Sequence, residues 1–413
     1  MPHNTVGDIL RAERQRRRLS QAQAGALVGY SSSTLSRIER GDRRLHMDEL
    51  RRFADRYGIA PFRLGLATVG HQQQDVDESG DHVQRRQFLV TAAGLTIAHG
   101  ALRRLDDALV ALPAAAGPVT ATTVTARLAA SQTLFDRAQY GALISGLPDL
   151  LAAAHELADT SSHATAQGVV AACYDLATHA LNKIGQHPAS RLTADRAMSY
   201  ARRADSPLAL AMSSRALSVV LRHEGRAQVA QRVTLDAIGA VQATGLSTVL
   251  QRAVLTQTLC TAAYSAGSGG DQQSALELIG DAERAVRGLE GQPVSVGENV
   301  ISSAQVQLYR VGVHWACGDS ARALDAARGL RPEQFATAER RGRLHTDIAR
   351  AWWQHGRPEQ TAAALLAAYR EAPTELTDRP AIRRIGLDLI RQHPQASGTR
   401  ELRIALHGAG STT

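Results

Sequence analysis

The stretch "LSQAQAGALVGYSSSTLSRIERG" (residues 19–41) decides how the chain begins. Ser20 is a good N-cap, since its hydroxyl can accept a hydrogen bond from a backbone N–H of the first turn of "QAQAGALV" (21–28). Gly29 suits the end of that helix, where a left-handed residue stops the chain at no Cβ cost. Ser31 caps a second helix, "SSTLSRIER" (32–40), which stops at Gly41. The pattern predicts two short helices joined by a tight turn, with Leu35 and Ile38 in a core.

Three further segments flank this pair. "VGDILRAERQRRR" (6–18) places Val6, Ile9 and Leu10 on one face and arginines on the other. "MDELRRFADRYG" (47–58) spaces Leu50, Phe53, Ala54 and Tyr57 for one buried face. "PFRLGLA" (61–67) starts at Pro61, a favoured first helical position. Together they predict a five-helix domain over residues 1–69. Residues 1–70 carry 13 Arg against 7 Asp and Glu, within a chain of net charge +8, so positive charge is concentrated at this end. A concentrated basic domain points to a polyanion, most simply nucleic acid.

Leu19, Ser20, Gln21, Gly29, Ser31, Leu35, Ile38, Glu39 and Gly41 fall where the phage-repressor-like Cro or XRE family of helix-turn-helix proteins places them. The resemblance covers about the first 68 residues and departs at Ala24, where a larger apolar residue is usual. It implies that the second helix of the pair enters the major groove of an operator in double-stranded DNA. By position, it makes Ser32, Ser33, Ser36 and Arg37 the base readers, with Arg37 suited to a bidentate contact to guanine. Gln21, Arg40, Arg43 and Arg44 are expected at phosphates, and Glu39 is expected to pair with Arg14. Arg16, Arg17 and Arg18 form either a solvated face or a further approach to phosphate.

Beyond the domain, "GHQQQDVDESGDHVQ" (70–84) is polar and aperiodic and reads as a linker. "RRQFLVTAAGLTIAHGAL" (85–102) has the twin arginines and apolar run of an export signal. Placed after a complete DNA-binding domain, it reads instead as a boundary helix with Phe88, Leu89, Ala92, Leu95 and Ile97 on one face, continued by Leu102 and Leu105. Gly94 marks a point where sensing and DNA binding would uncouple.

Residues 85–413 are rich in Ala and Leu. In "TDIARAWWQHGRPEQTAAALLAAYREAP" (346–373), Ala349 and Trp352 precede a turn at Gly356, and Ala362, Leu365 and Ala368 follow it before Pro373. Small residues let two helices approach, and large ones fill between them. The order resembles a tetratricopeptide repeat. Weaker copies surround Gly225 with Ala230, Gly270 with Ala275, Ile279 and Ala282, and Gly318 with Ala323, with further turns expected at Gly141 and Gly185. The turn glycines are 44, 40, 45, 48 and 38 residues apart, longer than the ideal period of about 34. The expected fold is therefore all-α: a helix-turn-helix domain followed by a tetratricopeptide-like α-solenoid of six helical hairpins. Arg222, Tyr264, Tyr309, His314 and Trp352 are candidates to line its groove, as is Trp353.

The sequence contains no HExxH, no GxxxxGK[ST] and no GxSxG, so nothing in it proposes an enzyme. Its 15 histidines show no paired-ligand spacing, and neither metal nor cofactor is expected. Cys173, Cys260 and Cys317 lie far apart without a CxxC pair and read as buried reduced thiols. No apolar run reaches the roughly 18 residues of a membrane span, and the expected location is cytoplasmic, on the nucleoid.

The combination is similar to the peptide-sensing regulators of Gram-positive bacteria. It implies a homodimeric transcriptional regulator whose repeats sense a peptide or small-molecule effector. Those regulators often grip peptide backbone with groove asparagines, and this chain has only Asn4, Asn182 and Asn299. The competing reading is a DNA-anchored scaffold, or an antitoxin or immunity-type regulator, whose repeats bind a partner protein.

Overall fold

The structure, a computed structural model, describes residues 6–17, 19–40, 45, 49, 52–53, 56–57 and 99–407, except 162, 290–293 and 298. Contacts divide the chain into two units, Met1–Gly80 and Asp81–Thr413. The expected linker (70–84), the fifth helix (61–67) and the run 85–98 lie outside the described residues, as do Arg43 and Arg44.

In the first unit, α1 (Val6–Arg16) forms over the amphipathic opening segment, and α2 (Gln21–Val28) and α3 (Ser32–Glu39) form where the caps predict them. The Ser20 hydroxyl accepts from the Gln23 N–H while the Gln23 side chain accepts from the Ser20 N–H, a reciprocal capping box. Ser31 accepts from the Thr34 N–H, and Gly29 ends α2 at φ +77°. The turn depends on a second glycine: a Cβ on Gly25 would lie 2.5 Å from the Tyr30 carbonyl oxygen. Leu10, Ala24, Val28, Leu35, Ile38, Phe53 and Tyr57 make the core. The small Ala24 leaves room for the Tyr57 hydroxyl, which donates to the Ala24 carbonyl at 3.2 Å.

The second unit is helical from its first described residue. Three helices open it: α4 (His99–Val110), α5 (Ala121–Asp136) and α6 (Tyr140–Thr160). Leu105 on α4 is buried, and Leu102 packs partly buried beside it. The next three hairpins pair α7 (Ala164–Lys183) with α8 (His187–Arg203), α9 (Pro207–His223) with α10 (Ala227–Gln242), and α11 (Val249–Ser268) with α12 (Gln272–Arg287). Two more pair α13 (Ser303–Ala316) with α14 (Ser320–Ala327), and α15 (Ala338–Gln354) with α16 (Pro358–Glu371). Short α17 (Pro373–Thr377), α18 (Pro380–Gln392) and α19 (Thr399–His407) follow.

Gly185, Gly225, Gly270, Gly318 and Gly356 turn the last five hairpins, all with φ between +73° and +83°. Five residues after each stands a small side chain with no exposed surface: Ser190, Ala230, Ala275, Ala323 and Thr361. That fixed register lets the second helix of each hairpin lie close against the first. Gly141 differs from expectation. It lies inside α6, and the turn before it is made by Ala138 at φ +56°. A short hairpin also interrupts the helices: β1 (Val294–Val296) pairs antiparallel with β2 (Asn299–Ile301). Its cause is local, since "VSV" and "NVI" carry β-branched residues around Gly297 at φ +55°. Val296 and Ile301 bury themselves against the α11–α13 core.

The repeats curve until their end meets their beginning. Lys183, near the end of α7, places Nζ 2.6 Å from Glu375 and 2.5 Å from Glu339. Tyr140 and Arg379 also donate to Glu375, and Thr374 donates to the Ala138 carbonyl at 2.6 Å. Gly185 completes the contact, since a Cβ there would meet Pro380 at 2.7 Å. Burial works to raise the Glu375 carboxyl, but Arg379 and Lys183 outweigh it and hold the group well below the usual carboxylate range. Glu375→Ala would take the paired carboxylate from buried Arg379 and leave Lys183 with Glu339 alone, and is expected to cost about 3–5 kcal/mol in chemical denaturation. For the unaltered chain, the clasp's contribution is present above the unfolded carboxylate pKa of about 4.3. It should fade as pH falls through the depressed folded value, and a pH series of denaturation midpoints reads this directly.

Candidate nucleic-acid interface and central cavity

Glu39 sets the orientation of α3. Its carboxylate is 1% exposed and accepts Arg14 Nε at 2.6 Å and Nη2 at 2.9 Å, the two-pronged fit of guanidinium to carboxylate. Arg11 donates to the Glu39 carbonyl at 2.7 Å. Burial tends to raise the Glu39 carboxyl, but hydrogen bonds from Arg14 and Gln21 leave it lowered overall. With Leu35, Ile38 and Glu39 turned inward, positions 32, 33, 36, 37 and 40 make one stripe on the other side of α3.

Ser32, Ser33, Arg37 and Arg40 are exposed, and Ser36 is half-buried. Ser33 Oγ lies 3.0 Å from Ser31 Oγ, and Arg40 donates to Ser36 Oγ at 2.9 Å. Arg37 has no ion pair among the described residues and projects at the centre of the stripe. Gln21, expected at phosphate, here donates to Glu39 at 3.1 Å. Arg17 pairs with Glu13 at 3.0 Å and also donates to the Tyr57 carbonyl.

Within the second unit, the first helices of successive hairpins surround a cavity of about 410 Å³. Three of the groove candidates meet there: Arg222 from α9, Tyr264 from α11 and Tyr309 from α13. The other three are elsewhere. His314 is buried within α13, its ring nitrogens kept neutral by burial and by Arg310. Trp352 packs with Trp353 into the C-terminal core of α16, α18 and α19.

Seven cationic side chains line the cavity, against one carboxylate, that of Glu339. Three cations lie on aromatic faces: Arg222 on Tyr264 at 4.8 Å, Arg343 on Tyr309 at 4.8 Å and Arg350 on Trp315 at 5.1 Å. Arg343 and Arg350 share Asp347, each at 3.3 Å. Arg215, Arg343, Arg350 and Lys183 were not singled out in the sequence. A signal was present: Arg215 and Arg222 are seven apart on α9, as are Arg343 and Arg350 on α15, which puts each pair on one face. Cys173 and Cys260 are buried, their thiols pushed up to about 12. Among the described residues, no helix is long and apolar enough to cross a membrane, and no cluster of His, Cys, Asp and Glu could hold a metal.

Residues 5–62 match the family described as a helix-turn-helix domain. No curated protein matches the chain. Among solved structures, the chain is similar to PlcR of Bacillus thuringiensis, solved in complex with the peptide PapR7 and DNA. The identity is 11%, 88% of this chain and 99% of that one are covered, and the TM-score is 0.33. It is also similar to a point mutant of PrgX at 10% identity, covering 85% and 96%, with a TM-score of 0.31.

The Arg14–Glu39 pair yields a prediction about the domain alone. Arg14→Ala leaves a buried carboxylate with one fewer charge partner and should destabilise the first unit by about 3 kcal/mol. Amide exchange should then rise in α1–α3 and stay at its original rate in α7–α16.

Proposed function

We propose that the chain is a sequence-specific DNA-binding transcriptional regulator, acting as a homodimer in the cytoplasm, whose helical repeats sense an effector. The observation that carries this reading is the outward stripe of α3 on a domain of the helix-turn-helix family. Ser32 and Ser33 open the helix that such domains insert into the major groove, and Ser36 and Arg37 follow on its next turn. Arg37 is the long, exposed, always-charged member, suited to the O6 and N7 edge of guanine. The serines are short, and to reach bases Ser33 and Ser36 must exchange their local hydrogen bonds for groove or water contacts. Arg40, Arg43 and Arg44 follow the helix and approach phosphate, with Gln21 at the start of α2.

The repeat unit supplies the sensor. A cavity lined by charged and aromatic side chains is the kind of site that takes a small ligand. A ligand that favours one arrangement of the repeats would shift the population of DNA-competent dimers. Two heads bound about one helical turn apart would read a two-fold symmetric operator.

Arg37→Ala should abolish discrimination between operator and random DNA while leaving helical circular dichroism unchanged. Genome-wide mapping of bound DNA would supply the operator for that comparison, and equal discrimination by the variant would overturn the assignment. For the unaltered protein, log Kd against log salt should have a slope of magnitude roughly 5–8, as counterions leave several phosphates per dimer. A flat salt response would exclude a nucleic-acid partner.

A further inference from the structure

We infer that the central cavity binds a small phosphorylated anion, and that Arg222 is its principal charge partner. The inference rests on the reading of the repeats as a sensor and names the class of effector. The guanidinium faces the cavity from α9, and its Nη1 donates to Ser218 Oγ at 3.1 Å and Ser265 Oγ at 3.0 Å. Its plane lies against the ring of Tyr264. All these partners are neutral, and no carboxylate is paired with Arg222 among the described residues.

The surroundings make matters worse for an isolated cation. Burial pushes the Arg222 guanidinium down to about 10; Tyr264 and Tyr309 work against the shift, while the nearby Arg343 and Arg215 add to it. Arg350 is lowered by burial and by Arg379 and Arg343. Like charges held together in a partly desolvated space destabilise the empty protein. An anion in the cavity reverses the sign of that interaction for Arg222 and Arg350, whose charge is the least favoured on the wall.

The identity of the walls narrows the anion. Arg222 comes from α9 and Arg343 and Arg350 from α15, so guanidinium groups reach the void from two sides. A planar carboxylate is satisfied by one or two forks in its own plane. A phosphoryl group offers three acceptor oxygens in a tetrahedral array, which suits guanidinium donors from different helices. The volume of about 410 Å³ suits a small molecule. Asn182 is the asparagine on this wall, so amides able to grip an extended peptide backbone are scarce.

Arg222 can also be removed without leaving a hole in the hydrogen-bond pattern. Ser218 and Ser265 already lie 2.9 Å from each other, and Ser265 donates to the Thr261 carbonyl at 2.9 Å. Structural and binding roles therefore predict opposite outcomes for Arg222→Met. If the arginine is there to hold the fold, the ligand-free variant melts lower. If it is there for an anion, the ligand-free variant melts at the wild-type temperature or above, and the response to the anion is lost.

The test uses the full chain and inorganic pyrophosphate as the probe, with ionic strength matched by sodium chloride. Calorimetric titration of the wild type should show saturable binding at one site per chain, and pyrophosphate should raise its melting temperature. Arg222→Met should weaken binding roughly 10- to 100-fold, the worth of one hydrogen-bonded charge partner. Its ligand-free melting temperature should not fall. Equal affinity in wild type and Arg222→Met, citrate binding as tightly as pyrophosphate, or no saturable binding beyond the chloride control would each overturn the inference. Arg37→Ala should bind pyrophosphate as the wild type does. A failure at the DNA-reading face is thereby separated from a failure at the cavity.

Discussion

Lys183 is the one lysine in the chain, and the architecture of the repeats depends on where its ammonium goes. It reaches across 192 positions of sequence to Glu375, with Glu339 beside it and Tyr140 and Arg379 completing the cluster. Each of these groups would be costly to bury alone, and the attraction offsets desolvation only while all are present. The clasp holds α15 and α17 against the α5–α7 end of the same unit. A stack of helical hairpins would otherwise present an open groove. Closure brings Phe135, Lys183 and Gly185 from one end, and Glu339, Arg379 and Pro380 from the other, onto a single cavity wall.

The first unit uses the same physics on a smaller scale. Glu39 is a buried carboxylate on the inner face of α3, and Arg14, Arg11 and Gln21 bind its side chain or its carbonyl. That network joins α1, α2 and α3 through directional bonds, where a purely apolar core would tolerate small rotations of α3. Fixing the rotation matters because the outward stripe is narrow. Turning α3 by one residue position, about 100°, would replace Arg37 with Ile38 or Ser36 at the centre of the exposed face. The apolar contacts of Leu35 and Ile38 supply most of the stability, and the charged bonds specify which face looks out.

How much of this could be read in the sequence follows from how local each cause is. Ser20, Gly29 and Ser31 act within one turn of where they stand, so the helix-turn-helix geometry was legible there. The turn glycines and the small residue that follows each are also short-range signals, and five of the expected hairpin turns fall on them. Gly141 misled because a glycine can sit inside a helix as well as in a turn, and Ala138, three residues earlier, adopts the left-handed conformation instead. The β1–β2 hairpin was readable in "VSVGENVI" but was masked by the helical bias of its neighbours. Closure was not legible. Lys183, Glu339 and Glu375 are unremarkable in sequence, and their meeting depends on the summed curvature of five hairpins. The cavity candidates were half legible for the same reason. Aromatic and basic types could be chosen, but which face of α13 or α15 turns inward separates Tyr309 from His314 and Arg350 from Trp352.

The two charged sites of the repeat unit differ in a way that bears on what each is for. At the clasp, Lys183 and Arg379 meet Glu339 and Glu375 at hydrogen-bonding distance, and the ionised form of Glu375 is stabilised by its setting. Along the α9 wall, Arg222 meets hydroxyls and a ring, and its own setting disfavours its charge. Selection for stability alone favours the first arrangement and removes the second, since methionine or leucine would fill the same volume without desolvating a cation. Strained or destabilised groups persist where a ligand relieves them, and the relief is then part of the binding free energy. Charge that satisfies itself builds the ring, and charge left facing the void is what the ring encloses.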